Sequence, residues 1–260
     1  MSESSLEVSN VTDVNHDDVA AKLDQLERDG FLVISGALSP EEVQQSIEGL
    51  NNARRQGWQG AVSEVGSLWF DSLLDKDPQT FRPLVAHASV SPYLEMLAGA
   101  QLQLRSFRGH IYPGPYTQQW HMDFYGYWQQ PKRRYTVRGT AIQTTFYLHD
   151  HSPETGYLRF VKGGHLQEPP SLDRSTFRGS RANDFTRWCE EQEHVTIYPQ
   201  AGDCILFFSH IPHRGAKDDP RMERSNIVCH YQVNPFFEGL WFVSSSLGFK
   251  GTFPLAPSNT

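Results

Sequence analysis

The chain has 260 residues and a formal charge of -7, with 38% hydrophobic and 12% aromatic residues. That length and composition suit one folded, β-rich domain with a sizeable core, and they exclude a disordered chain. The acidic balance excludes an overall electrostatic footprint for nucleic acid. The Lys132-Arg133-Arg134 run with Arg138 reads as a solvated loop, or less often as a gate for an anionic substrate. Cys189, Cys204 and Cys229 have neither disulfide-framework nor zinc-knuckle spacing, and the last two lie in apolar runs that suit core positions. No apolar run reaches membrane-spanning length and no signal-peptide core is present near the N-terminus, so a reducing, cytoplasmic setting without membrane contact is expected.

Residues 1–14 are polar and Ser-rich, a terminus expected to fray. Val19, Leu23 and Leu26 recur at helical spacing ahead of Asp29-Gly30, which predicts a helix over 17–28. Phe31 to Ile34 reads as a short buried strand. Ser39-Pro40-Glu41-Glu42 combines a capping serine, a proline suited to the first turn and a glutamate able to close a capping box. A second helix therefore starts there, with Val43, Ile47 and Leu50 on one face. Two more helices are predicted, around Phe81–His87 and over Pro92–Leu97, the latter capped by Ser91. Together these form a helical buttress over about 15–98.

Beyond Gly99 the pattern changes. Gln101 to Arg108 alternates polar and apolar residues, as a half-buried strand does. Further runs rich in Val, Ile, Thr, Tyr and Phe follow at Thr140–Leu148, Gly156–Val161, His194–Ile197, Cys204–Ser209 and Asn226–Val233, separated by Gly, Pro and Asp turns. Many strands after a helical opening predict a mainly β fold, a sandwich or barrel buttressed by N-terminal helices. Residues 167–193 lack strand periodicity and are expected to form a lid-like excursion.

The stretch from Gln119 to Trp128 organises the chain. His121 and Asp123 are two positions apart, so on a strand they leave the same face with Cα atoms about 6.6 Å apart. An imidazole and a carboxylate so placed can reach one metal ion. The third ligand is sought in Ser209-His210-Ile211-Pro212-His213, where two histidines compete. His213 is taken as the candidate, with Arg224 eleven positions beyond it. Two His and one carboxylate leave three positions of a metal open, the pattern of non-haem Fe(II) oxygenases. Arg224 opens the next strand and can lie in the same cavity. A permanently charged planar fork there calls for a bidentate anion and points to a dicarboxylate cosubstrate.

In order along the chain, these passages resemble the phytanoyl-CoA dioxygenase family of Fe(II)/2-oxoglutarate oxygenases, which includes ectoine hydroxylase. The resemblance is carried by the acidic-Gly-Phe and Ser-Pro-Glu-Glu opening between Leu26 and Leu50 and by His121-Met122-Asp123. It continues through Leu148-His149-Asp150, Thr155 to Val161 with Gly163-Gly164-His165, and Gly202-Asp203 followed by His213 and Arg224. Two departures stand out. The family's Gly-Ser-His is Gly-Gly-His here, and the loop from Phe124 to Thr140, on the substrate side of the pocket, carries no recognisable part of the resemblance.

The resemblance implies a double-stranded β-helix (jelly-roll) core over about 100–245 within a single oxygenase domain spanning 15–260. It implies Fe(II) held by His121, Asp123 and His213, with 2-oxoglutarate gripped by Arg224, and O2 consumed to give succinate and CO2. The expected substrate is a small-molecule metabolite, hydroxylated by default; desaturation, cyclisation and epimerisation use the same site. Chlorination is disfavoured, because halogenases of this type have Gly or Ala where Asp123 stands. Arg108, Gln143 and Thr145 can hydrogen-bond 2-oxoglutarate, and Asn226 shares the face of Arg224; structural roles fit these residues about equally. Tyr125, Trp128 and Trp241 are candidates for lining the substrate pocket. His149, His151 and His165 read as turn residues, and His110 is ambiguous. Two alternatives are weighed against this reading. One is a zinc-dependent hydrolase using the same His/Asp/His site, and the other is a non-enzymatic β-sandwich binding module.

Overall fold

The computed structural model describes residues 16–63, 65–98, 102–123, 141–170, 182–219 and 222–233. Helix α1 (His16–Asp29) buries Val19, Leu23 and Leu26 along one face. It stops where Gly30 turns to φ 88° and donates its N–H to Leu26 O, a left-handed cap that suits glycine. Strand β1 (Phe31–Ile34) follows directly. Helix α2 (Pro40–Arg55) starts with the expected capping box: Ser39 Oγ accepts from Glu42 N–H, and the Glu42 carboxylate accepts from Ser39 N–H.

The region then departs from the sequence expectation. Two short strands, β2 (Ala61–Val62) and β3 (Leu68–Phe70), escape notice because runs so short carry no periodicity. The predicted helix at Phe81–His87 is a four-residue helix α4 (Pro78–Phe81), preceded by α3 (Leu73–Lys76) and followed by a 3-10 turn (Arg82–Ala86). Pro83 falls inside that turn and cannot donate to an α ladder. In α5 (Ser91–Ala98), Ser91 opens the helix instead of capping it, since Val90 O accepts the first helical bonds.

Eight strands follow in chain order: β4 (Leu102–Tyr112), β5 (Tyr116–Thr117), β6 (Ala141–Tyr147), β7 (Tyr157–Val161), β8 (His194–Ile197), β9 (Cys204–Phe208), β10 (His213–Lys217) and β11 (Arg224–Val233). They form two antiparallel sheets, ordered β1-β9-β6-β11-β4-β3-β2 and β5-β10-β7-β8. The chain crosses from one sheet to the other at almost every connection from β4 onward, which is the winding of a jelly roll.

Strand alternation gives the larger sheet two different faces. Its outer face carries Phe107, Ile111, Phe146, Leu206, Phe208, Ile227 and Cys229, and these merge with the helices into the main apolar core. The inner face brings Phe31, Tyr147, Ile205 and Phe207 against Leu158 and Phe160 of the smaller sheet. Phe31 and Phe160 stack there at 4.6 Å. Inner-face polar residues gather at the other end, on β4, β6 and β11. The three thiols, Cys189, Cys204 and Cys229, are all buried and free.

The expected excursion at 167–193 contains a helix, α6 (Ala182–Glu190), which the search for strand periodicity missed. Phe185 and Cys189 recur at i and i+4, and they pack with Trp120, Met122 and Val161 in a separate core cluster. That part of the segment is thus docked on the barrel wall. Its partner residues 171–181 lie outside the described residues. Among the described residues, no helix is long and apolar enough to cross a membrane.

Two features generate measurable expectations. Gly156 sits at φ 135°, and a Cβ there would come within 2.3 Å of Ala216 O and 2.8 Å of Lys217 Cα. Gly156→Ala should lower stability by about 2–4 kcal/mol in urea unfolding, because backbone cannot yield as a side chain can. Gly36, at φ 61° with no neighbour in range, provides the comparison, and Gly36→Ala should lose only about 1 kcal/mol.

The second feature is the pair of buried rings His165 and His210. Burial pushes their pKa values down to about 4 and about 3. The unfolded chain protonates histidine near pH ~6.5, whereas the folded chain keeps these rings neutral well below that. The unfolded state therefore binds more protons, and stability is lost as pH falls from about 6.5 toward 4. Urea midpoints should drop between about pH 7.5 and about pH 5. An unchanged midpoint would contradict neutral burial.

Candidate metal centre

The three predicted ligands meet. Nitrogen and oxygen atoms of His121, Asp123 and His213 that can ligate a metal lie within 4.8 Å of one another. His121 Nε2 is 3.8 Å from one Asp123 oxygen, and His213 Nε2 is 3.5 Å from the other. The imidazole centroids are 4.3 Å apart. The expected regular strand at 119–123 is instead a single bridged residue. His121 N–H donates to His213 O at 3.0 Å, and His213 N–H returns to His121 O at 2.9 Å. Side-chain alternation survives. Trp120 and Met122 are buried in the α6 cluster, while His121 and Asp123 face the other way.

Hydrogen bonds fix both rings for ligation. Nδ1 of His121 lies 2.9 Å from Gln119 O, and Nδ1 of His213 lies 3.0 Å from Ile211 O. A carbonyl oxygen only accepts, so each Nδ1 carries the proton and each Nε2 presents a lone pair. Burial holds the His213 pKa down at about 4, and neighbouring His121 adds to the effect against Asp123. Burial alone would push Asp123 up. His213, His121 and His230 outweigh it, as does a hydrogen bond from Gln143, so its pKa is lowered and the carboxylate stays charged. Neutral imidazoles and a charged carboxylate are the protonation states a metal needs.

The ligand segment is braced from behind. Trp120 Nε1 donates to Glu190 on α6 at 2.8 Å. Arg214, one residue past the third ligand, pairs with the same carboxylate at 3.0 Å and covers the indole. His210, the rival third ligand, sits apart, with His165 and Phe208.

Register places the other candidates on the inner face of the larger sheet. Arg224 lies opposite Tyr112, Asn226 opposite His110 and Tyr147, and Thr145 opposite Val228. Arg224 is only 2% exposed, and its Nε, Nη1 and Nη2 have no hydrogen-bond partner among the described residues. Gln143 turns its amide toward Asp123. Arg108 is paired with Asp71 and lies 4.1 Å over the Trp69 ring, so its charge is already met. Tyr125, Trp128 and Trp241 lie outside the described residues.

Some site residues went unread in the sequence. No strand is predicted between Ser209 and Arg224, yet β10 runs from His213 to Lys217, which is fully buried. Tyr112 and Tyr116 stack at 4.5 Å between the sheets. Only strand register could have found them.

The residues fit an iron and a 2-oxo dicarboxylic acid. The donor set is two lone-pair nitrogens and a carboxylate, and a buried guanidinium offers unmet donors nearby. Between His213 and Lys217 the inner face of β10 has only Gly215, where a Cβ would lie 3.0 Å from Gln118 Oε1. Gln118 Oε1 and the Tyr116 hydroxyl fill the space beside that backbone, so polar groups line the strand here.

Comparison with known proteins agrees with this geometry. No curated protein matches the chain in sequence. Among solved structures, the non-haem α-ketoglutarate-dependent epimerase SnoN from nogalamycin biosynthesis aligns with a TM-score of 0.68 and 21% identity, covering 94% of this chain and 93% of that one. HygX from Streptomyces hygroscopicus, with nickel and 2-oxoglutarate bound, aligns with a TM-score of 0.64 and 17% identity over 84% and 88% of the two chains. EctD from S. alaskensis, with 2-oxoglutarate and 5-hydroxyectoine, aligns with a TM-score of 0.62 and 18% identity over 87% and 79%. At such identities the likeness speaks for the jelly-roll fold. The profile described as "Phytanoyl-CoA dioxygenase (PhyH)" matches residues 26–222, spanning both halves of the ligand set up to His213. The chain therefore belongs to the phytanoyl-CoA dioxygenase family of Fe(II)/2-oxoglutarate-dependent dioxygenases.

Proposed function

We propose that His121, Asp123 and His213 bind Fe(II), and that the enzyme oxidises a small-molecule metabolite at an unactivated C–H. Hydroxylation is the leading outcome, with desaturation, ring closure and epimerisation as its relatives. One observation carries the reading: three ligand groups converge, and the inner face of the larger sheet carries a buried guanidinium that has no hydrogen-bond partner among the described residues. We read residues 15–260 as one oxygenase domain working in a reducing, cytoplasmic setting.

When bound, Fe(II) and 2-oxoglutarate supply the oxidising power, drawing on O2 and releasing succinate and CO2. The chain's own part is to bind, orient and exclude water. Arg224 grips the distal carboxylate, and burial strengthens that contact. Ile211 and Gln119 carbonyls hold the two imidazoles in the ligating tautomer. Gln143 steadies the Asp123 carboxylate through its amide N–H. Thr145 lines the cosubstrate side, Asn226 stands between cosubstrate and substrate, and we assign Arg108 to the wall because Asp71 already engages it.

The substrate side is polar. Gln143 Oε1 and Asn226 Oδ1 are buried acceptors with no partner among the described residues. 2-Oxoglutarate offers only acceptors, so a hydroxyl or amine N–H on the substrate is the natural complement. SnoN in complex with nogalamycin RO and HygX with hygromycin B bound support a small-molecule class. The acidic net charge favours a free metabolite over an acyl-CoA. Tyr125, Trp128 and Trp241 are proposed to complete the pocket.

Anaerobic Fe(II) with 2-oxoglutarate should give a weak visible charge-transfer band. His121→Ala should lose it, and Arg224→Met should need roughly 100-fold more 2-oxoglutarate to reach it. A wild-type protein without the band would overturn the assignment. Turnover supported by zinc without 2-oxoglutarate would favour the hydrolase alternative.

A further inference from the structure

Lys217 is fully buried, yet the mechanism above gives it no task. Its Nζ donates to two backbone oxygens, Gly114 O at 3.1 Å and Asp219 O at 2.8 Å. An ammonium has three N–H donors, so among the described residues one remains after both neutral carbonyls are served. Lys217 shares the inner face of β10 with His213 and Gly215, since alternate residues of a strand point the same way. Its register partner is Tyr116, which stacks on Tyr112, the residue facing Arg224 across β4 and β11. Lys217 and Arg224 thus flank one tyrosine stack.

Burial lowers the Lys217 pKa, and the nearby positive charge of Arg224 lowers it further. The Asp219 carboxylate acts on both cations, with Glu223 and Asp150 contributing more distantly. Glu223 is held by Arg54 at 2.6 Å, and Asp150 accepts from Ala201 N–H. Two buried cations set against each other are costly unless an anion enters between them. Between His213 and Lys217 this face carries no side chain of β10 itself, and polar atoms line it instead: a Cβ on Gly215 would lie 3.0 Å from Gln118 Oε1 and 3.5 Å from the Tyr116 hydroxyl.

We infer that Lys217 is a second cationic ligand of the cosubstrate, its third N–H meeting the distal carboxylate that Arg224 grips. The inference rests on the 2-oxoglutarate reading above. It makes this pair of cations the element that selects a dicarboxylic over a monocarboxylic 2-oxo acid.

The test compares 2-oxoglutarate with 2-oxovalerate, which has the same chain length and ends in a methyl group. Calorimetry on the anaerobic Fe(II)-loaded protein measures binding of each, without turnover. Lys217→Met should weaken 2-oxoglutarate by about 10- to 100-fold and change 2-oxovalerate by less than about 2-fold. Lys217→Gln keeps two N–H donors that can serve Gly114 and Asp219 and removes the charge together with the third donor. It should show the same selective loss, and it carries the test if the Met variant does not fold. Equal losses for both acids, or no loss for either, would overturn the inference and leave Lys217 a loop tie. Wild-type protein that binds neither acid would instead sink the cosubstrate reading itself.

Discussion

Two backbone hydrogen bonds between His121 and His213 join the halves of the metal centre. Each residue donates its N–H to the other's carbonyl, at 3.0 and 2.9 Å. These bonds fix the separation of two imidazoles whose positions in the chain are far apart. They also set Asp123, two residues on, beside both rings. Everything nearby serves to keep this single bridge closed: α6 holds Trp120 from behind, Arg214 ties the same glutamate, and Pro212 O continues the pairing to Val161 N–H.

The winding of the sheets explains why the polar chamber forms where it does. Outer positions of β6, β9 and β11 are apolar and merge with the helices, so the larger sheet is anchored by its back. Its inner face is apolar in one part, where Phe31, Tyr147, Ile205 and Phe207 pack with Leu158, Phe160 and Ile211. Another part of the interior holds Arg224, Asn226, Gln143, His110 and Lys217. Burying that many polar groups costs stability, and the main apolar core offsets it. Such a division places chemistry inside a protein without dissolving the core.

Much of this was legible in the residues. Ser39-Pro40-Glu41-Glu42 encodes a helix start by local bonding alone, and it forms as read. The match of Asp203, His213 and Arg224 to the family's pattern favours His213 over His210, and the structure puts His213 beside the other two groups. What escaped depends on non-local pairing. β2 and β3 are strands only because β4 offers an edge, and Lys217 is interior only because Tyr116 and Tyr157 flank β10. The 3-10 turn at Arg82 reflects Pro83, a local signal that the helical apolar spacing concealed. Helix α6 lies in a stretch searched for period two, where its i, i+4 pattern does not register.

The three cysteines have a consequence for an enzyme that handles oxygen. Burial raises the pKa of each thiol, so almost none is thiolate at neutral pH. Thiolate is the form that oxidants and alkylating reagents attack. Stray oxidant escaping the metal thus finds no ready thiolate at Cys189, Cys204 or Cys229. Alkylation then proceeds only through opening, and its rate clocks how often the barrel breathes.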